Sequence, residues 1–202
     1  MMNDMPPDPR ILTAEWLRQR FAAGGEFDSP GEDGIPSGPL RPAAVLVPIV
    51  LRPSGPTLLL TRRTDHLHHH PGQVSFPGGR VEEEDLSPVD TALRETEEEI
   101  GLLRRHVELL GLLPQYRTGT GFEVTPVVGL VTPPFELALD AFEVAEVFEV
   151  PMSFLLDTSK HQRHQIEVRG RMREYYAMPY EGYFIWGATA GMIVSLQRFL
   201  DR

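Results

Sequence analysis

The sequence lacks three features that would each indicate a particular class of protein. It has no cysteine, which excludes disulfides, iron–sulfur clusters and thiolate zinc sites within the chain. No apolar run approaches the ~20 residues of a membrane-spanning helix, and the N-terminus shows no charged-then-apolar signal pattern. Basic residues number 19 against 29 acidic ones, and the net charge of −10 disfavours binding to long nucleic acids. We therefore expect a cytoplasmic protein whose partners include neither a membrane nor a nucleic acid.

The hydrophobic content is sufficient for a single compact core, since 41% of the 202 residues are hydrophobic. We expect residues 1–40 to form an N-terminal helix and a flexible loop, and residues 41–202 to form the main domain. Helices are predicted at 14–22, 88–100, 152–156 and 188–200. Strands are predicted at 43–51, 57–61, 109–114, 122–131, 144–150, 165–168 and 173–178, the first two joined as a hairpin. This irregular alternation predicts an α/β fold in which a mixed β-sheet lies between helices.

The predicted helix at 88–100 carries an unusual cluster of acids near its C-terminal end. Ser87 can cap its start and Gly101 can end it. Glu95, Glu98 and Glu99 are spaced i, i+3 and i+4, so we expect their carboxylates on one face. The negative end of the helix dipole disfavours each of these acids by roughly 0.3–1 kcal/mol. An acid-rich solvated face is the ordinary interpretation of such a run, but the crowding also predicts a divalent cation held by oxygen ligands.

The residues around this cluster favour the metal interpretation. The chain contains Phe76-Pro77-Gly78-Gly79, then Asp85, then Arg94-Glu95-Thr96-Glu97-Glu98-Glu99-Ile100-Gly101. This arrangement resembles the Nudix box, a loop–helix–loop that holds catalytic Mg²⁺ or Mn²⁺ in enzymes that cleave a diphosphate linked to another moiety. Two departures are the acid at position 85, separated from Arg94 by eight residues rather than seven, and Thr96 at a usually apolar position. The resemblance implies a Nudix-type α/β/α sandwich.

By that resemblance, the catalytic residues are Arg94, Glu95, Glu98 and Glu99. Glu95 and Glu99 are the expected principal metal ligands, and Glu98 is a further ligand or holds a water. Arg94 is expected to orient Glu98 or a neighbouring carbonyl. One carboxylate must take a proton from the attacking water. Candidates outside the box are Glu123, Glu143 and Glu146, among which the sequence does not choose.

A second motif lies just upstream, from Leu59 to Gly79. Its residues Leu59-Leu60-Thr61, Arg63, His70, Gly72, Val74 and Phe76 resemble the signature of the coenzyme A pyrophosphatase branch of the Nudix family, with His68 where that signature has an arginine. The resemblance implies substrate contacts from Arg63, His68, His70, Gly78 and Gly79. Val74 and Phe76 are expected in the core. The run His68–His70 has two other interpretations, a transition-metal site or an incidental surface loop.

The resemblance implies hydrolysis of coenzyme A, or of its oxidised or acylated forms, to 3′,5′-ADP and 4′-phosphopantetheine. Arg63 is the leading candidate for reading the 3′-phosphate, because a guanidinium can bind a phosphate through two hydrogen bonds. Two alternatives stay open: a Nudix hydrolase of ADP-ribose, NADH or an oxidised dNTP, and a noncatalytic nucleotide sensor. A homodimer is also left open.

Overall fold

The computed structural model describes residues 12–25, 38–67, 71–168 and 170–201. Its helices are α1 (Ala14–Ala23), α2 (Pro88–Ile100), α3 (Met152–Leu155) and α4 (Gly187–Leu200). Its strands are β1 (Arg41–Val50), β2 (Thr57–Arg63), β3 (Val74–Ser75), β4 (Gly78–Arg80), β5 (Val107–Leu112), β6 (Tyr116–Arg117), β7 (Phe122–Val131), β8 (Val144–Pro151), β9 (Gln162–Val168), β10 (Arg171–Tyr180) and β11 (Tyr183–Trp186). Within these ranges, no helix is long and apolar enough to cross a membrane.

A mixed sheet forms the centre of the described part of the chain. Its middle strands β1 and β7 run parallel over their full length, from Arg41 beside Phe122 to Val50 beside Val131. Every other pairing in this eight-stranded sheet is antiparallel, with the order β3-β2-β1-β7-β5 and with β4, β6 and β8 pairing to β1, β7 and β2. Strands β9, β10 and β11 form a separate antiparallel sheet of three.

Two hydrophobic cores lie on opposite faces of the central sheet. One contains Leu17 of α1 and Ile193 of α4 together with residues of the three-stranded sheet. The other joins Leu93 and Ile100 of α2 to Leu46 of β1. Val74 and Phe76 are 3% and 2% exposed, as expected of core residues. The predicted α/β/α sandwich with a mixed sheet is therefore confirmed.

The local signals around α2 specify its bounds, and the predicted range 88–100 is confirmed. Ser87 Oγ accepts a hydrogen bond from Asp90 N at 3.2 Å, and Pro88 occupies the first turn. Gly101 ends the helix at φ 70°, in the left-handed region that glycine adopts without steric cost. These caps place the acid cluster on the final two turns.

The predicted hairpin between β1 and β2 is only partly correct. The two strands pair antiparallel at Ile49–Leu58 and Val50–Thr57, but the start of β1 pairs instead with β4. The short strands β3, β4, β6 and β11 were not predicted, because two to four residues carry little periodicity and depend on partners distant in sequence. The pairing of β4 with β1 positions the candidate site.

Candidate active site

Two glycines of β4 let the acid-bearing helix approach the sheet closely. A Cβ on Gly79 would lie 2.4 Å from the carboxyl carbon of Glu95. A Cβ on Gly78 would lie 2.4 Å from the backbone oxygen of Ala44, and the φ of Gly78 is +150°. Only glycine fits both positions without displacing a neighbour. Strand β4 therefore brings its backbone directly against the carboxylate of Glu95.

Glu99 is the most deeply buried acid of the cluster. It is 7% exposed, and its Oε2 accepts a hydrogen bond from Gly78 N at 3.1 Å. Arg63 Nη1 lies 3.9 Å from its Oε1. Burial raises the pKa of Glu99 to about 7, although the Gly78 amide and the Arg63 guanidinium both oppose the shift. With a pKa of about 7, this carboxyl group is only partly ionised near neutral pH in the metal-free protein.

Glu95 has a similar environment one helical turn earlier. Its side chain is 19% exposed, and Arg94 Nη1 donates to its Oε1 at 3.0 Å. Burial raises the pKa of Glu95, while Arg94 acts in the opposite direction. The structure thus brings together two carboxylates whose ionised forms are poorly solvated.

Glu98 lies apart from this pair. Its side chain is 61% exposed and accepts a hydrogen bond from Arg94 at 3.2 Å. In an α-helix, residues 95 and 99 differ by roughly 40° around the axis, whereas residues 98 and 99 differ by roughly 100°. Because β4 packs against the 95–99 side, Glu98 is directed toward solvent. The expected common face of all three acids is thus divided into a buried pair and an exposed member.

Arg94 and Asp85 connect the helix to the preceding loop. Arg94 Nε and Nη2 donate to the two carboxylate oxygens of Asp85 at 3.0 and 2.9 Å, and Nη2 also donates to the carbonyl of Arg80 at 3.2 Å. Thr91 Oγ1 and Glu82 N complete the hydrogen bonds to Asp85. The Arg94 guanidinium holds the pKa of Asp85 well below its usual range. The role of Asp85, which the sequence did not specify, is to hold Arg94.

Oxygen ligands of this kind fit a hard divalent cation. Among the residues described, no group of three or more His, Cys, Asp or Glu side chains is arranged to hold a metal ion. The protein provides the pair Glu95 and Glu99, and burial raises the pKa of both despite the neighbouring Arg94 and Arg63, so a further positive charge would favour their ionised forms. Mg²⁺ commonly binds through one or two carboxylates and completes its coordination with water and substrate phosphate. Two carboxylates therefore suit such an ion without a third.

The candidate residues outside the box have different environments. Glu123 pairs with Arg117 at 3.0 Å. Glu146 pairs with Arg62 at 2.5 Å. The charge of Glu143 contributes to the raised pKa values of both Glu95 and Glu99, so it acts on the buried pair. His68, His69 and His70 lie outside the described residues.

A family model, described as the NUDIX domain, matches residues 40–166 and therefore more than half of the chain. The chain belongs to the Nudix family. It is 46% identical over 156 residues to proteins described as uncharacterized Nudix hydrolase NudL from Enterobacter sp. (strain 638) and from Escherichia coli K12. Each match covers 77% of this chain and 81% of the relative. Both relatives support the family without specifying a substrate.

Solved Nudix structures share the fold at low sequence identity. A MutT protein from Methanosarcina mazei Go1 is 18% identical, with a TM-score of 0.50, covering 83% of this chain and 94% of that one. RenU, a Nudix hydrolase from M. smegmatis, is 22% identical, also with a TM-score of 0.50, covering 66% and 84%. Family membership makes this chain a Nudix hydrolase of a nucleoside diphosphate derivative. Nudix hydrolases generally use divalent metal ions.

Proposed function

We propose that this Nudix hydrolase cleaves the diphosphate bond of coenzyme A, or of its oxidised or acylated forms, with Mg²⁺ or Mn²⁺. The observation that carries the proposal is the position of Arg63. This arginine belongs to the motif that resembles the coenzyme A pyrophosphatase signature, and its guanidinium lies 3.9 Å from Glu99. The substrate-specific motif and the acid pair therefore contribute to one site.

In this proposal, Glu95 and Glu99 hold the metal from the buried side of the site. The bound metal would neutralise phosphate charge and lower the pKa of a water molecule. Gly78 and Gly79 allow β4 to lie directly against β1 and the Glu95 carboxylate, because a Cβ at either position would meet those groups. The resemblance alone assigns the two glycines to contact with the substrate phosphates. The exposed Glu98 contacts water more readily than a buried ion, and we assign it to holding solvent at the edge of the site.

Arg63 and Glu143 complete the proposed machinery. Because Arg63 lies beside the acid pair, its guanidinium is well placed to bind the diphosphate, which makes this role more favourable than reading a remote 3′-phosphate. Glu143 acts electrostatically on both buried acids and is our choice as the acceptor of the proton from the attacking water. His68 and His70 are proposed to contact the substrate on the resemblance alone.

A turnover screen tests the proposal directly. The purified protein would be assayed with Mg²⁺ and separately with Mn²⁺ on coenzyme A, dephospho-coenzyme A, ADP-ribose, NADH and oxidised dNTPs. We expect the highest kcat/KM on coenzyme A, with 3′,5′-ADP and 4′-phosphopantetheine as products. Preferred turnover of ADP-ribose, NADH or a dNTP would replace the substrate assignment, and nucleotide binding without turnover would indicate a sensor. Size-exclusion chromatography with light scattering tests for the homodimer that the sequence leaves open.

A further inference from the structure

An exposed aromatic pair lies next to the buried acids. Phe142 is 65% exposed, and its ring centroid is 4.9 Å from that of His66, with the two planes tilted by 59°. His66 is itself exposed. Most of the apolar ring surface of Phe142 is therefore in water, where a flat ligand can cover it. Neither residue was predicted from the sequence, although an aromatic within an acidic turn is a visible signal.

The turn that carries Phe142 is fixed by hydrogen bonds on both sides. Thr64 Oγ1 donates to the carbonyl of Phe142 at 2.7 Å, and Thr64 N donates to the carbonyl of Glu143 at 3.0 Å. Phe142 N donates to Asp140 Oδ1 at 2.9 Å. The backbone is therefore held before any ligand arrives, so that binding there costs little ordering of the chain.

The same turn is joined to both parts of the catalytic site. Asp140 N donates to the carbonyl of Glu99 at 2.9 Å, which fastens the turn to the end of α2. Thr64 directly follows Arg63 in the chain. Glu143, the next residue after Phe142, acts on the pKa values of Glu95 and Glu99. The aromatic pair therefore borders the acid site.

We propose that Phe142, supported by His66, is the stacking platform for the nucleobase of the substrate. This inference rests on the proposed function only for the ligand class, a nucleoside diphosphate derivative. The acids Asp65, Asp140 and Glu143 lie within two residues of His66 or Phe142 in the chain, and their negative charges disfavour an additional phosphate group there. A neutral purine is free of that repulsion, and its flat π-face stacks on an aromatic ring in a way that an aliphatic arm cannot.

The test compares two ligands that differ only in the base, AMP and ribose 5-phosphate. Their dissociation constants would be measured by isothermal titration calorimetry with the Mg²⁺-loaded protein, in wild type and in Phe142→Ala. We expect Phe142→Ala to weaken AMP by at least about fivefold and ribose 5-phosphate by less than about twofold, because stacking energy depends on the base. Phe142→Trp should retain AMP binding. Phe184→Ala, which alters an aromatic that is 44% exposed on the three-stranded sheet, is the matched control and should change neither ligand.

Each outcome decides the proposal. Equal weakening of both ligands would mean that Phe142 supports the turn and does not stack, and unchanged AMP binding in Phe142→Ala would overturn the platform outright. Neither measurement requires hydrolysis of coenzyme A. If the substrate screen rejects coenzyme A but AMP still depends on Phe142, the substrate assignment fails and the platform stands.

Discussion

The buried carboxyl group of Glu99 predicts how stability depends on pH in the metal-free protein. Its pKa is raised from 4.5 to about 7 in the folded state. A group with a raised folded pKa contributes stability that is fully present below the unfolded pKa and is lost as pH rises through the folded pKa. At about 1.4 kcal/mol per pH unit, the interval from 4.5 to about 7 corresponds to about 3 kcal/mol of unfolding free energy. The free energy of unfolding should therefore fall by up to about 3 kcal/mol between pH 4.5 and pH 8.

Glu99→Gln should remove this loss, because the amide keeps the shape of the side chain and cannot ionise. We expect the metal-free variant to exceed wild type in stability at pH 8 and to differ little from it at pH 4.5. The measurement is urea unfolding followed by circular dichroism in EDTA at both pH values. Comparing variant with wild type cancels the titration of the seven histidines, which both proteins share. The lowered pKa of Asp85 has the opposite effect on the pH dependence of stability. Its stabilising contribution is lost only at pH values below the window from 4.5 to 8.

Two further results would show that the effect belongs to the acid pair. Saturating Mg²⁺ at pH 8 should stabilise wild type far more than Glu99→Gln, because in the proposed site the ion binds the carboxylates of the native state. Glu98→Gln should leave the pH dependence unchanged, because Glu98 is 61% exposed and pairs with Arg94. The same pH dependence of stability in metal-free wild type and Glu99→Gln, or a Glu99→Gln variant that is less stable than wild type at pH 8, would contradict the assignment of this effect to Glu99.

Three other predictions concern activity. Glu99→Gln should lower turnover by more than about tenfold with an unchanged circular dichroism spectrum, and a smaller loss would remove Glu99 from the principal ligands, since tenfold corresponds to ~1.4 kcal/mol of barrier. Gly79→Ala should reduce turnover with little change in melting temperature, because the added Cβ meets only the movable end of Glu95. Gly78→Ala should lower the melting temperature, because its Cβ meets the backbone of β1. A larger loss of melting temperature in Gly79→Ala than in Gly78→Ala would contradict this. Arg63→Ala should lower kcat/KM equally on coenzyme A and dephospho-coenzyme A if it binds the diphosphate, and a selective loss on coenzyme A would return it to the 3′-phosphate.

Signals close in sequence made α2 predictable. Packing against strands distant in sequence determines which of its acids are buried. Ser87, Pro88 and Gly101 act on their own turns of chain, so the bounds of α2 could be predicted from sequence. Which acids become buried depends on β4, a three-residue strand whose partner β1 lies more than 30 residues earlier. Spacing alone therefore grouped Glu98 with its neighbours.

The same limit applies to the residues outside the box. Glu143 could be named from sequence as one of three candidates, but its proximity to the buried acids depends on the turn at 140–143 meeting both α2 and Thr64. Asp85 was identified as a departure from the usual motif spacing. Its hydrogen bonds to Arg94 follow from the path of the loop, which periodicity does not encode.

The Asp85–Arg94 ion pair also explains how this site tolerates a motif of unusual length. The ion pair joins Asp85 to Arg94 and so links the two ends of the stretch 86–93, which contains the start of α2. Leu86, at the beginning of this stretch, is 93% exposed. An extra residue can bulge into solvent there while the glycine strand and the acid helix keep their mutual position. In protein engineering, the place to insert a residue is therefore beside Leu86, between Asp85 and Ser87, where the bonds from Asp85 to Arg94 can be kept.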